Sequence, residues 1–234
     1  MQQIIIDHRF RGPSQSANGG YIAGVLAELI DGPAEITLRR PPPLDKPLQL
    51  HEVDGGYDLK DGDDLIGDVR AGVFSVDVPP KPSDEAIRAA QEEYPGKKMN
   101  LLPHCFVCGI GREPGDGLRV HASPVTGAEL VAAEWHAHPD LCDADGVMPE
   151  RYVFAALDCP GAYAFFNEFS GHMLLGRITG EVTGTVRAGD ICTVLAWKEG
   201  AEGRKAFAGS AVLNPAGEVV ASAYAIWIKV PEVS

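Results

Sequence analysis

Two short segments carry the residues with the clearest chemical potential. In the first, Asn18-Gly19-Gly20 precedes an apolar run with helical spacing, so the glycines stand where free N–H groups of a helix N-terminus can meet a negatively charged oxygen. In the second, Asp158 lies inside the apolar segment 151–165, where desolvation makes a carboxylate reactive as a nucleophile or as a general base. Donors for an oxyanion and a reactive carboxylate are together what the hydrolysis of an activated carbonyl compound requires.

Each of these residues also has a structural interpretation. Asn18 is a favourable N-cap for the helix that follows it. Asp158 can cap a second helix that begins at Pro160, and Pro160 predicts a kink because it removes a backbone donor inside the helix. The sequence leaves the structural and the chemical interpretations open.

The elements that must position these segments occur twice along the chain. A helix after residue 18 and a second helix in 151–169 are each followed by a series of strands separated by turn residues. When Ile36 is aligned with Ile178, the strand and corner that follow match without a gap, which suggests an internal duplication.

The segment 78–98 interrupts this order. Its prolines, the N-cap Ser83 and the acidic residues that follow predict a connecting helix. We therefore predict an N-terminal unit in 1–78, a connecting helix or linker in 79–98 and a C-terminal unit in 99–234.

Longer motifs resemble those of a known superfamily. HCFVCGIGREPGDGLRVHA (104–122) and RYVFAALDCPGAYAF (151–165) resemble segments of the hotdog-fold acyl-CoA thioesterase superfamily. The first half, with NGGYIAG and LRRPPPL, is similar to the N-terminal unit of double-hotdog thioesterase-like proteins. The resemblance implies an α+β double hotdog, in which two long central helices are each wrapped by a curved antiparallel sheet and the sheets are continuous across the two units.

The resemblance also implies a composite site between the two units. In single-hotdog members, the helix opens with a His-Gly-Gly-like triplet and an acid follows nine residues later. The first unit keeps the triplet as Asn18-Gly19-Gly20 but has Ala27 at the acid position, whereas the second unit keeps Asp158 but has Pro149-Glu150-Arg151 in place of the triplet. We therefore expect one site per chain, in which Asp158, Gly19, Gly20 and Asn18 are catalytic.

Further residues are expected to bind the substrate. Thr179 follows the second helix at a position where related double-hotdog thioesterases place a polar helper, but the glutamine that those enzymes use on the last strand is replaced by Ala225. The Arg39-Arg40 pair is a candidate for the phosphates of coenzyme A. The expected substrate-binding residues are Tyr21, Ser16, Thr179 and Tyr163.

Three functions are compatible with these residues. The first is hydrolysis of an acyl-CoA or a related thioester. The second is binding of acyl-CoA or an acyl chain without hydrolysis, because a fold does not determine a function and the His and Gln of the resembled enzymes are missing. The third is a hotdog dehydratase or hydratase, with His8 as base and Asp158 as acid.

Composition excludes several other classes. A net charge of −13 argues against nucleic acids and anionic membranes as partners, and no apolar run approaches the ~20 residues of a membrane span. The odd number of cysteines and the N-terminal sequence predict a reduced, cytoplasmic protein. We expect a small-molecule thioester as partner and a homo-oligomer, either a dimer or a larger assembly.

A metal site is the remaining alternative in the sequence. Cys105 and Cys108 form one CxxC pair, with His104 and Cys142 as further candidate ligands. A zinc motif of this kind normally has a second pair, and we therefore expect no metal and no cofactor.

Overall fold

The computed structural model describes residues 2–99, 102–168 and 172–230. In the first half of the chain the strands are β1 (Gln2–Ile5), β2 (Ala34–Leu38), β3 (Pro47–Val53), β4 (Gly56–Asp61) and β5 (Asp64–Ala71). In the second half they are β6 (Ser123–Pro124), β7 (Leu130–His136), β8 (His172–Val182), β9 (Ile191–Glu202), β10 (Lys205–Leu213) and β11 (Val219–Val230). Within the described ranges, these strands form one sheet of eleven.

The sheet is continuous across the two halves of the chain. Its order is β1-β3-β4-β5-β2-β8-β11-β10-β9-β7-β6, so β2 and β8 join the halves. In this antiparallel junction Ile36 lies opposite Ile178, and both side chains are fully buried. Ile36 and Ile178 are also the equivalent residues in the gap-free alignment of the two halves of the sequence. Two equivalent residues lie opposite each other in an antiparallel strand pair when a local twofold axis passes between the strands at that point.

The turns between the first strands follow from their residues. Asp54-Gly55 connects β3 to β4, and Gly62-Asp63 connects β4 to β5. Gly55 and Gly62 have φ values of 75° and 60°, which glycine adopts at no steric cost and which match the twist of short hairpins.

The first central helix, α1 (Gly19–Ala27), is buried along most of its length. It packs directly against a second helix, α4 (Glu150–Ala155). A Cβ atom on Gly24 would lie 2.4 Å from the Arg151 carbonyl oxygen, so the two helix backbones approach each other more closely than any side chain at position 24 allows.

The second central helix consists of two pieces, α4 and α5 (Asp158–Tyr163). The expected kink at Pro160 lies instead at Ala156-Leu157, immediately before Asp158. Pro160 is in the first turn of α5, where its missing N–H has no intrahelical role. The break allows α5 to begin at Asp158.

The connecting segment forms α2 (Asp84–Glu92), followed by α3 (Pro95–Met99). The Ser83 hydroxyl accepts a hydrogen bond from the Ala86 N–H at 3.2 Å, which confirms Ser83 as the N-cap. The Gln91 side chain bonds to both backbone groups of Glu134 in β7, so α2 packs against the second half of the sheet. No helix in the described part of the chain has the length and apolar character needed to cross a membrane.

Candidate active site

A cavity of about 650 Å³ lies between the start of α1 and the start of α5. Its wall is largely apolar, with Phe165, Leu175 and Trp227 among its members. The polar groups at the wall include Ser16, Asn18, the backbone of Gly19, and Asp158. An apolar cavity with a few convergent polar groups is the usual form of a small-molecule site.

The Asp158 carboxylate joins the two halves of the protein at this cavity. Asp158 is 2% exposed, and its Oδ2 accepts hydrogen bonds from the Gly20 N–H at 2.9 Å and from Asn18 Nδ2 at 3.0 Å. The side chain makes no capping bond to α5, whose N-cap is Leu157. The structure therefore brings Asp158 to the N-terminus of α1, and the capping interpretation of Asp158 is wrong.

The Asn18 side chain both caps α1 and contacts Asp158. Its Oδ1 accepts a hydrogen bond from the Tyr21 N–H at 2.8 Å and so caps α1. With the amide oxygen used in this way, Nδ2 faces Asp158 and donates to it. One side chain thus satisfies the helix terminus and the buried carboxylate.

The two glycines at this terminus differ in their surroundings. The Gly20 N–H is bonded to Asp158, and a Cβ atom on Gly20 would lie 2.3 Å from the Asp158 Cβ and 2.9 Å from the Ala155 carbonyl oxygen. Gly19 lines the cavity, and its N–H has no acceptor among the described residues. Gly20 therefore permits the approach of Asp158, and Gly19 offers the cavity a free donor.

Burial dominates the electrostatics of Asp158. Desolvation raises the pKa of this carboxyl to about 7, against the lowering effect of the hydrogen bonds from Gly20 and Asn18. Its other oxygen, Oδ1, has no hydrogen-bond partner within the described ranges. A carboxyl with this pKa and an unused oxygen is suited to accept a proton near neutral pH.

Two of the four expected substrate-binding residues lie at the cavity and two do not. Ser16 and Tyr163 line the cavity, whereas Tyr21 and Thr179 do not. The Tyr21 ring stacks on Phe10 with centroids 3.9 Å apart, and burial raises its pKa to about 12. The Thr179 hydroxyl donates to Glu35 Oε2 across the junction of β2 and β8, so its role is at the seam of the sheet.

The His8 and Asp158 pair expected for a dehydratase is not assembled. The His8 side chain is 54% exposed and lies beside Asp45, which also accepts a hydrogen bond from the His8 N–H at 2.9 Å. Because His8 is held on the surface and does not line the cavity, it is not placed to act with Asp158 on one substrate.

Three cysteines at the cavity form a group that sequence reasoning missed. Cys105, Cys108 and Cys159 all line the cavity, and their Sγ atoms lie within 4.8 Å of one another. The further ligands expected for the CxxC pair, His104 and Cys142, are outside this cluster. The adjacency of Cys159 to Asp158 is the only sequence signal that pointed to the third thiol.

The solved structures that resemble this chain over nearly its full length include a tesB protein and a protein with a hotdog fold. The tesB protein of Mycobacterium avium subs paratuberculosis has a TM-score of 0.59 and 14% identity, with 92% of this chain and 88% of that chain covered. A conserved protein of unknown function with a hotdog fold, from Alicyclobacillus acidocaldarius, has a TM-score of 0.63 and 10% identity, with 99% and 93% covered. No family model matches the sequence, and no curated protein matches it. The expected double-hotdog fold is confirmed.

Proposed function

We propose that this protein is a hydrolase that cleaves acyl-CoA or a related thioester at the cavity between α1 and α5. The observation that carries the proposal is the meeting of Asp158 with the N-terminus of α1 at the wall of an apolar cavity. The acyl group occupies the apolar part of the cavity, and the thioester carbonyl lies near Gly19. In this arrangement one half of the protein supplies the base and the other supplies the oxyanion donor.

The proposed reaction uses a water molecule between Asp158 and the thioester. Asp158 Oδ1 takes a proton from this water as its oxygen attacks the carbonyl carbon. The negative charge that develops on the carbonyl oxygen is stabilised by the Gly19 N–H and by the dipole of α1. The carbon–sulfur bond then breaks, and the leaving thiolate takes the proton from Asp158, which gives a carboxylic acid and a free thiol.

The residues near the cavity support a coenzyme A thioester as substrate. Arg39 and Arg40 line the cavity, and each forms an ion pair with an acidic side chain, Asp68 and Asp64 respectively. About half of each arginine side chain remains exposed, so both can reach the phosphates of a bound ligand. In a chain with a net charge of −13, these arginines provide local positive charge for an anionic substrate.

The test is hydrolysis of short, long and aromatic acyl-CoAs by the wild type and by Asp158→Asn, followed as release of free coenzyme A. We expect Asp158→Asn to lower kcat/KM by about 10²- to 10⁴-fold, with an unchanged circular dichroism spectrum. Asp54→Asn, in the exposed turn after β3, is the matched control and should retain full activity.

Two results would contradict the proposal. Equal activity of the wild type and Asp158→Asn removes Asp158 from the reaction. Binding of acyl-CoAs by the wild type without turnover of any of them indicates a binding protein instead of a hydrolase.

A further inference from the structure

The cysteine cluster beside Asp158 is built from two distant parts of the chain. Cys105 and Cys108 lie in the loop 103–109, and Cys159 is in the first turn of α5. Cys105 Sγ is 3.2 Å from Cys108 Sγ and 3.7 Å from Cys159 Sγ. All three residues are buried, and none forms a disulfide.

The loop 103–109 directs its two sulfurs to the same point. The Cys108 N–H donates to Cys105 Sγ at 3.4 Å, and the Gly109 N–H donates to the Cys105 carbonyl at 2.9 Å. A Cβ atom on Gly109 would lie 2.6 Å from the carbonyl oxygens of both Cys105 and Pro103, so the tight turn requires glycine. The backbone turn therefore holds Cys105 and Cys108 with their sulfurs close together.

Other donors also face the cluster. Asn18 Nδ2 lies 3.7 Å from Cys105 Sγ and 3.8 Å from Cys159 Sγ. These N–H donors favour anionic sulfur, but they carry no formal charge. Three thiolates brought together at these distances would need a compensating cation, because an unpaired charge in the protein interior is costly.

We propose that Cys105, Cys108 and Cys159 bind one thiophilic divalent metal ion, with zinc as the best-suited ion. Thiolate ligands at the zinc–sulfur distance of about 2.3 Å in a tetrahedron have sulfurs about 3.8 Å apart, which matches the Cys105–Cys159 separation of 3.7 Å. The Cys105–Cys108 separation reaches this value by a shift of a few tenths of an ångström in each side chain. All three cysteines line the cavity, so a fourth ligand can reach the ion from there.

The expected ligand class follows from the donor set. Three thiolates select zinc over magnesium or calcium, which prefer oxygen ligands. Three protein ligands with a fourth, open position are typical of a metal that exchanges a water or a small ligand. The inference does not depend on the proposed thioester hydrolysis, because it rests on the sulfurs alone.

The test uses the full-length protein without an affinity tag, purified under reducing conditions. We expect about one zinc ion per chain by elemental mass spectrometry. After the metal has been removed with a chelator, cobalt(II) chloride should restore one equivalent and give the thiolate-to-cobalt charge-transfer band and the visible bands of a tetrahedral site.

Variants identify the ligands. Cys105→Ser and Cys159→Ser should weaken cobalt binding by at least about 100-fold. Cys142→Ser is the matched control, because Cys142 lies outside the cluster and its Sγ contacts the His138 carbonyl; it should bind cobalt as the wild type does. Circular dichroism checks that each variant is folded, and titration of the reduced wild type tests the site without any substitution.

Several results would overturn the inference. Reduced wild type that takes up neither zinc nor cobalt has no metal site. Wild-type affinity in Cys159→Ser, or a cobalt spectrum without the charge-transfer band, excludes the three-thiolate site. A Cys105–Cys108 disulfide in protein that still takes up no metal after reduction identifies the cluster as a redox pair instead.

Discussion

The two adjacent glycines at the start of α1 provide a sharp test of the site, because the structure gives them different tasks. Gly20→Ala places a methyl group 2.3 Å from the Asp158 Cβ, and these carbons must separate by about 0.7 Å to reach the 3.0 Å below which such contacts are not found. Asp158 and Ala155 meet this methyl group from the second half of the protein. The strain can therefore be relieved only by moving the two central helices apart.

The energetic effect can be worked out from these contacts. Overpacking of this kind costs about 1–3 kcal/mol, and a separation of this size breaks the 2.9 Å hydrogen bond from the Gly20 N–H to Asp158, which adds about 1.5–3 kcal/mol for a charged acceptor. The higher helix propensity of alanine returns at most about 1 kcal/mol. We expect Gly20→Ala to lower the free energy of unfolding by about 1.5–6 kcal/mol and to reduce kcat/KM sharply.

Gly19→Ala is the matched comparison. Its Cβ would lie 3.1 Å from both Cβ and Cδ2 of Leu175. Cδ2 can rotate away, and the Cβ contact needs a shift of only a few tenths of an ångström, so we expect a change in stability within about 1 kcal/mol. Its activity should fall, because the methyl group obstructs the approach of a carbonyl oxygen to the Gly19 N–H. The measurements are urea unfolding and kcat/KM on the best acyl-CoA.

Two outcomes would contradict these roles of the glycines. A Gly20→Ala protein as stable and as active as the wild type would mean that Asp158 is not held against α1. Full activity of Gly19→Ala would mean that the Gly19 N–H is not the oxyanion donor.

Three further predictions concern His121, Asn18 and the Arg39-Arg40 pair. Burial lowers the pKa of His121 to about 4, whereas the unfolded chain binds this proton near pH 6.5, so the contribution of His121 to stability should fall by at most about 3 kcal/mol from pH 6.5 to 4. The raised pKa of Asp158 acts in the opposite direction over this window, so the measurement is the difference in urea unfolding between the wild type and His121→Phe, which should move in favour of the variant as the pH falls. Asn18→Asp keeps the cap of α1 but places a second carboxylate beside Asp158, so it should unfold in less urea than Asn18→Ser. Arg39→Ala and Arg40→Ala should each raise KM for acyl-CoA about fivefold, which corresponds to a loss of about 1 kcal/mol in binding. KM for acyl-pantetheine should not change, because this substrate lacks the nucleotide phosphates. Equal effects on both substrates would contradict the phosphate contact.

Much of the fold could be predicted because its signals are local or repeated. The apolar spacing after Asn18 predicts α1, and the Asp-Gly pairs predict the hairpins of the first half. The alignment of Ile36 with Ile178 anticipates the residues that meet at the junction of the two half-sheets. The helix, the hairpins and the junction each follow from a short-range sequence pattern or from its repetition, and the tertiary packing does not override that pattern.

The details of the site could not be predicted in the same way. The break before Asp158 has no strong local signal, because Pro160 is tolerated in a first helical turn and Ala156-Leu157 favours a helix. Tyr21 and Thr179 are close in sequence to site residues, but the stacking of Tyr21 on Phe10 and the position of Thr179 at the sheet seam turn both away from the cavity. The direction of a side chain depends on the elements packed against it, and these are distant in sequence.

The Gly20 N–H is bonded to Asp158, so only part of the Asn18-Gly19-Gly20 triplet is free to contact a substrate. If both N–H groups were free, the start of α1 would offer a substrate oxygen two donors, but the buried Asp158 would then lose the bond from Gly20 and would be harder to ionise. The observed division gives Gly20 to the carboxylate and leaves Gly19 for the substrate. It follows that the N–H group that holds the proposed base and the N–H group proposed as oxyanion donor are consecutive at one helix terminus. A shift of α1 that weakens one contact must also displace the other.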